Sequence, residues 1–487
     1  MLGNKHLIKN KYFPTIGIET HVQLKTKTKL FAAVGNDARD AHPNSLISPV
    51  CVALPGTLPV LNQKAVELAI KAGLALKAEI AKVSHFDRKH YFYPDLPKGY
   101  QISQLDSPIV GKGLIEAPME DGRILKVRIA RAHLEEDAGK NIHPNGADYS
   151  LVDLNRAGTP LLEIVSEADM HSALEARTYV RELYLLMKYA DVSDVDLYHG
   201  NMRFDVNVSV SSDVKKLGVR TETKNINSFR GVEKAVEYEI NRQIELLEKG
   251  QKVTQETRGW DEAKQKTISQ RGKEEAHDYR YMPDPDIPPI VIDSKLVDKL
   301  AKELPLLPNT LRQKFRAFGL TGSQIDTVLD EPELADIIKY TTEAHDDKTA
   351  RTISNWCLGE LQRMYQQREL KWSEVKDTLN QLVELSSMVD NGEVSSTAAK
   401  TILSDIVLKG ADPKKVAEEK QLLQVSDEAD LVITVQQVLN NNPKACEDIK
   451  RGEMKAIGFL VGQIMKASAG RANPKVVQQL IKKQLGL

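Results

Sequence analysis

The residues around position 20 alternate: Ile16, Ile18, Thr20, Val22 and Leu24 interleave with Glu19, His21 and Gln23. A period of two is met by an extended strand with one dry face, so the fold must bury the first set. The second set then presents a carboxylate and an imidazole side by side, about 7 Å apart along the strand. Two further segments set carboxylates beside apolar stretches, His133-Leu-Glu135-Glu136-Asp137 and Pro160-Leu-Leu-Glu163. Unpaired charge there would be costly. Carboxylates and a histidine that converge in a fold need a cation, and oxygen-rich ligation favours Mg2+ or Mn2+ over Zn2+. Chemistry on phosphate is the usual reason to hold such ions. Spacing alone leaves a second reading open, three unrelated salt-bridged patches.

A chain of 487 residues is long enough for two to four domains. With a net charge of −1 the whole chain is no electrostatic glove for nucleic acid, so any such surface must be local. The three cysteines, Cys51, Cys357 and Cys446, lie far apart and support neither a disulfide framework nor a zinc knuckle. Without an apolar leader, a transit segment or a long apolar run, the sequence reads as cytoplasmic, with no membrane partner.

Up to about residue 295 short alternating stretches mix with helices. Asp121-Gly122 signals a hairpin, and Phe204, Val206, Val208 and Val210 alternate with Asp205, Asn207 and Ser209. Ser172-Ala-Leu-Glu175 resembles a capping box ahead of Val180, Leu183, Met187 and Ala190, and Val232, Val236, Ile240, Ile244 and Leu247 form a stripe stopped by Gly250. This mixture predicts an α+β domain on antiparallel sheet. Beyond it the texture is helical, in segments such as 331–344, 350–366 and 372–390, with a second break at Lys409-Gly-Ala-Asp-Pro413. The final 38 residues hold eight Lys or Arg (Lys450, Arg451, Lys455, Lys466, Arg471, Lys475, Lys482 and Lys483) against one acid, Glu453. That asymmetry in a near-neutral chain favours a nucleic-acid contact over a merely solvated face. Asn473-Pro474 reads as the N-cap and first residue of the last helix.

Neither a Walker loop nor a Rossmann fingerprint is present, so phosphate handling would rest on metal ions and basic side chains. Cys51, among apolar neighbours, reads as a small core residue. The segment Lys89-His-Tyr-Phe-Tyr-Pro-Asp-Leu-Pro-Lys-Gly-Tyr100 is either a loop packing its own domain or a basic, aromatic platform for a base.

At these residues the chain resembles the B subunit of the bacterial and organellar tRNA-dependent amidotransferase. The likeness is carried by residues 17–31 with Ile18-Glu-Thr-His21, 54–62, 89–104, 133–140, 149–166 with Pro160-Leu-Leu-Glu163, 202–209, 220–230, 275–286 and 458–470. It implies a cradle-like catalytic domain with antiparallel sheet over 1–295, an all-helical domain over 296–410, and a helical tail over 411–487 that is similar to the small protein YqeY and binds tRNA. The implied activity is phosphorylation by ATP of the side-chain carboxylate of Glu or Asp misacylated on tRNA. Ammonia, released from glutamine by the glutaminase (amidase) partner, the A subunit, and passed through an intersubunit channel, then displaces phosphate. A small C subunit fastens the two larger ones together. The resemblance implies that His21, Glu136 and Glu163 hold one Mg2+ (or Mn2+) firmly, and that Glu19 and Glu135 form a second site with ATP. Glu19, Glu135 and Asp205 become the catalytic candidates, and Lys89, Arg203, Asn207 and Lys224 the nucleotide- and phosphate-binding ones.

Many relatives carry zinc cysteines after the Lys-Leu-Phe segment, whereas this chain has Phe31-Ala-Ala-Val34 and Ser48-Pro-Val-Cys51, so no structural zinc is expected. The helical region follows Tyr281-Met-Pro-Asp-Pro285 directly, without the inserted domain of the archaeal branch, which favours the bacterial trimer. A non-catalytic tRNA-binding scaffold is the alternative. A self-sufficient ATP-dependent ligase is a third reading, weakened because no glutaminase nucleophile is apparent.

Overall fold

The alternating segment forms β1 (Phe13–Gln23), an inner strand of an eight-stranded sheet. The structure is a computed structural model that describes residues 11–272, 278–424, 428–451, 453, 455–468 and 472–486. Residues 275–277 of one family segment, residues 469–471 with the basic Arg471, and the N-terminal ten residues lie outside the described set.

The Asp121-Gly122 signal joins β2 (Gly113–Pro118) to β3 (Ile124–Glu136) as an antiparallel hairpin, with Gly122 at φ 86°, which a side chain would strain. The sheet continues with β4 (Pro160–Ser166), β5 (Met202–Ser211), β6 (Thr221–Ile226), β7 (Glu256–Asp261) and β8 (Lys266–Gly272). Their order is β8-β7-β6-β5-β1-β4-β3-β2. One neighbour pair departs from the antiparallel expectation. β6 and β7 run parallel, because a helix crosses over between them, so the sheet is mixed.

Three helices cover the apolar face: α1 (Gln63–Ala75), α2 (Ala173–Tyr189) and α3 (Phe229–Glu248), the last being that crossover. Ile16, Ile18, Val22, Phe204, Val206 and Val208 are buried in the same core as Val180, Leu183, Val232 and Val236. The hydroxyl of Ser172 caps α2 by accepting from Glu175 N at 3.2 Å, but Glu175 returns its carboxylate to His171 N, so the box is only half closed.

A buried ion network ties α3 to the far strands. Glu239, fully enclosed, accepts from Thr221 Oγ1 at 2.9 Å and Arg242 Nη2 at 2.8 Å, and pairs with Arg258 Nε at 3.0 Å. Burial works to raise its pKa, but Arg242, Thr267 and Thr221 hold it below the ordinary carboxylate value. A depressed folded-state pKa means this contribution to stability is present at neutral pH. It is lost as pH falls from the ordinary value, about 4.3, through the folded one. Glu239→Ala leaves Arg242 and Arg258 sharing Glu256 as their remaining carboxylate partner and is expected to cost about 3 kcal/mol at pH 7, with a smaller deficit below pH 4. Urea unfolding at both pH values checks this, and an equal deficit at both would remove the ionised pair as its cause.

The chain divides into two units, Met1–Thr310 and Leu311–Leu487. The first runs past the expected boundary at 295 because α4 (Ser294–Glu303) packs on α1. Helix α5 (Pro308–Phe318) spans the junction, followed by α6 (Gly322–Asp330) and α7 (Pro332–Ala344). The stretch 350–366 is helical throughout, with a π turn at Cys357–Leu361 set between α8 (Asp347–Trp356) and α9 (Gln362–Gln366). Thr378 likewise separates α10 (Trp372–Asp377) from α11 (Leu379–Asp390). The break at 409–413 ends α12 (Ser396–Lys409) at left-handed Gly410 and starts α13 (Pro413–Glu419) behind Asp412. Because α13 packs on α11 and α12, this break is a corner within the helical core. A separate core, with Leu431, Val435, Leu460, Val477 and Ile481 buried, is built by α14 (Glu428–Asn441), α15 (Pro443–Lys450), α16 (Lys455–Ala467) and α17 (Pro474–Leu485). Asn473 caps α17 through Lys475 N at 3.0 Å. Among the described residues no helix is long and apolar enough to cross a membrane.

Candidate metal centre

Strand register assembles the polar face. His21 on β1 lies opposite Glu163 on β4, and Glu163 lies opposite His133 on β3, so three adjacent strands contribute one row. Glu135, two residues after His133, shares its face. His21, Glu135 and Glu163 each offer a ligand atom within 4.8 Å of the others, the only such group among the described residues. His21 Nε2 is 3.6 Å from both Glu135 Oε1 and Glu163 Oε2. His133 Nε2 approaches Glu163 Oε2 at 3.3 Å and Glu135 Oε2 at 3.6 Å, while its buried Nδ1 has no hydrogen-bond partner. Burial should discharge His133, yet Glu135 and Glu163 push its pKa up to about 9. Glu163 answers in kind: burial opposes its charge, but His133, then His21 and Lys89, hold its carboxyl well below the usual range.

The row continues toward β5 and β6. Glu19 lies opposite Asp205, and its carboxylate accepts from Asn207 Nδ2 at 3.1 Å. Burial, then Glu163, Glu222 and Asp205, push the pKa of Glu19 up against that bond. A carboxyl crowded by three others is short of positive charge, which a divalent cation supplies. The β5–β6 register slips around Asp205, whose Oδ1 accepts from Asn225 N at 2.7 Å. Lys224 stands 3.7 Å from Asp205 and 3.2 Å from Glu222, and Asn207 Oδ1 is buried without a partner. Arg203, opposite His21, is held by Asp137 at 3.1 Å.

At the other end stands Lys89, on the short strand Asp87–His90. Burial opposes its charge, but Glu135, Tyr281 and Glu163 hold its pKa above the ordinary lysine value, and its Nζ lies 4.9 Å over the Tyr279 ring. Glu136 departs from the expected ligand set. It has the parity of Ala132 and Leu134, the buried apolar side of β3, so alternation turns it away from Glu135. Its carboxylate is paired with Lys98 and accepts from Ile102 N at 3.0 Å. The group at His21 and Glu163 is therefore completed by Glu135, with Glu19 further along the row.

A family model described as the GatB/GatE catalytic domain matches residues 14–298, and one described as the GatB domain matches residues 336–485. The chain is 45% identical over 480 residues to the B subunit of the aspartyl/glutamyl-tRNA(Asn/Gln) amidotransferase of Carboxydothermus hydrogenoformans, covering 98% of this chain and 99% of that one. The same-named protein of Persephonella marina is 44% identical over 477 residues, covering 98% of this chain and all of the relative. This chain belongs to the amidotransferase B-subunit family. That family is part of the glutamine-hydrolysing tRNA-dependent amidotransferase, a carbon–nitrogen ligase.

Within this B-subunit framework, three site residues were missed in the sequence. His133 had a legible signal, its spacing of two from Glu135. Tyr279 and Tyr281 had none, because the strand Met282–Pro283 brings their segment beside Lys89 only through long-range pairing with Asp87–His90. Cys51 lies 3.4 Å from the Ser48 hydroxyl and 3.6 Å from the buried Lys29 Nζ, a setting without a second cysteine.

Proposed function

We propose that this chain performs the activation half of transamidation. The γ-phosphoryl group of ATP passes to the side-chain carboxylate of Glu on tRNA(Gln), of Asp on tRNA(Asn), or of both, and ammonia then displaces phosphate. His21, Glu135 and Glu163 would hold a divalent cation, with Glu19 serving a second one. When bound, Mg2+ or Mn2+ supplies the charge neutralisation that lets a carboxylate approach a triphosphate. Lys89 offers phosphate oxygens a cation beside the cluster, Arg203 opposite His21 offers a second, and Lys224 and Asn207 offer further contacts beside Glu19. Asp205 positions Lys224 and the Asn225 amide. A cradle around this face would keep water from the acyl phosphate until ammonia arrives from the glutaminase partner, with the small third subunit completing the trimer.

The observation that carries this reading is the convergence of His21, Glu135 and Glu163 beside a basic side chain on one polar sheet face. A transamidation assay of the reconstituted trimer with each misacylated tRNA tests it. Formation of amidated tRNA only with ATP is expected, and no product from either tRNA would overturn it. The donor set of imidazole and carboxylates, with a lone Cys51 elsewhere, also leads us to expect no stoichiometric zinc. Elemental analysis of purified protein finding one tightly held zinc per chain would contradict that.

A further inference from the structure

We propose that the aromatic cleft between residues 89–93 and 278–282 seats the 3′-terminal adenosine of the substrate tRNA, the nucleoside that carries the amino acid. This rests on the transamidation reading above and adds a place for the acceptor. The cleft encloses about 590 Å³ and is lined by Tyr91, Phe92, Tyr93, Tyr279 and Arg280, with Lys89 at its inner end. Its walls are fastened together: His90 N donates to Tyr279 O at 2.8 Å, and His90 Nδ1 lies 2.9 Å from Arg280 O. Tyr91 and Tyr279 meet edge to face at 6.2 Å.

Phe92 is 82% exposed and Tyr93 57% exposed, large aromatic surfaces that a soluble fold has no internal reason to present. Gly99 gives Phe92 its seat. A side chain there would meet the ring at 3.1 Å, and φ +70° suits glycine.

Position decides between the two substrates. In-line phosphoryl transfer brings donor and acceptor to the metal cluster from opposite sides. At one end of the polar row stand Lys224 and Asn207 beside Glu19 and Asp205, groups suited to a triphosphate, while Arg203 lies mid-row opposite His21. The other end passes from Glu135 and Glu163 through Lys89 to Tyr279 and the cleft. Unpaired RNA ends are held by stacking on aromatic faces with a cation beside the backbone, and Phe92, Tyr93 and Arg280 provide both.

The test uses the full trimer and misacylated tRNA whose terminal adenine is replaced by 2-aminopurine. Binding to the unaltered complex is expected to quench the fluorescence by stacking. Phe92→Ala and Tyr93→Ala, both surface substitutions, should each relieve the quench and raise the KM for tRNA about tenfold. The KM for ATP and glutamine hydrolysis should be unchanged, and Phe92→Tyr should restore the quench. A raised KM for ATP with an unchanged quench would assign the cleft to the ATP adenine and overturn the proposal. Unchanged values for both substrates would overturn it as well. The quench needs no turnover, so a complex that quenches without making product would sink the functional reading and keep the cleft.

Discussion

Glu135→Gln and His21→Ala are expected to lower ATP-dependent amidation of misacylated tRNA by about a thousandfold, even with free ammonia and saturating Mg2+. Each removes one of the three groups within 4.8 Å and with it charge neutralisation worth several kcal/mol in the transition state. Glutamine hydrolysis by the glutaminase partner should persist, because its chemistry needs none of these residues. Glu136→Gln should behave differently. Its carboxylate is spent on Lys98 and Ile102 N, so the variant should bind Mn2+ nearly as the unaltered protein does. Paramagnetic resonance titration with Mn2+ separates the two neighbours. Retained Mn2+ affinity in Glu135→Gln with loss in Glu136→Gln would return the ion to Glu136. Near-normal amidation by Glu135→Gln would remove that residue from the mechanism.

Why the sequence reading and the structure divide these neighbours differently is a matter of parity. Alternation is legible from Ile16 to Leu24 and places Glu19 and His21 on one face, where the structure has them. The same rule applied from Val127 and Ile129 would turn Glu135 inward and Glu136 outward, but the register slips between Ile129 and Arg131, so Ala132, Leu134 and Glu136 share the apolar side, and no local signal marks that slip. The parallel β6–β7 pair is hidden for another reason. Two short strands separated by a 20-residue helix carry no local mark of which strands they will neighbour. The helical region shows its composition but not its corners. Gly410 and Asp412-Pro413 mark a true helix end, yet whether that end is a domain boundary depends on what α13 packs against.

That packing fixes where the tail is to be cut. Leu423 bridges to Val394 and Gln424 N donates to Glu393 O at 2.7 Å, so the helical core holds the chain up to residue 424. Truncation after Gln424 removes α14–α17 with their own core and leaves α13 in place. The removed residues carry nine Lys or Arg against six acids, and Lys450, Arg451, Lys455, Lys466, Lys475 and Lys483 are exposed, with Glu447 beside Arg451. A tail that holds tRNA through phosphates loses those contacts together. Each one lost should flatten the salt dependence of binding by roughly 0.7 to 0.9 in log–log slope. The truncated trimer is therefore expected to show a strongly raised Kd for misacylated tRNA at low salt and a smaller difference at high salt. Its Mn2+ and ATP binding should be unaltered, since every member of the His21 cluster lies in the first unit. Replacing Lys450, Lys455 and Lys475 by Ala one at a time should move the slope in steps and leave the buried core untouched. Filter binding at two salt concentrations reads both quantities, and an unchanged affinity with an unchanged slope would mean that tRNA is held elsewhere on the chain.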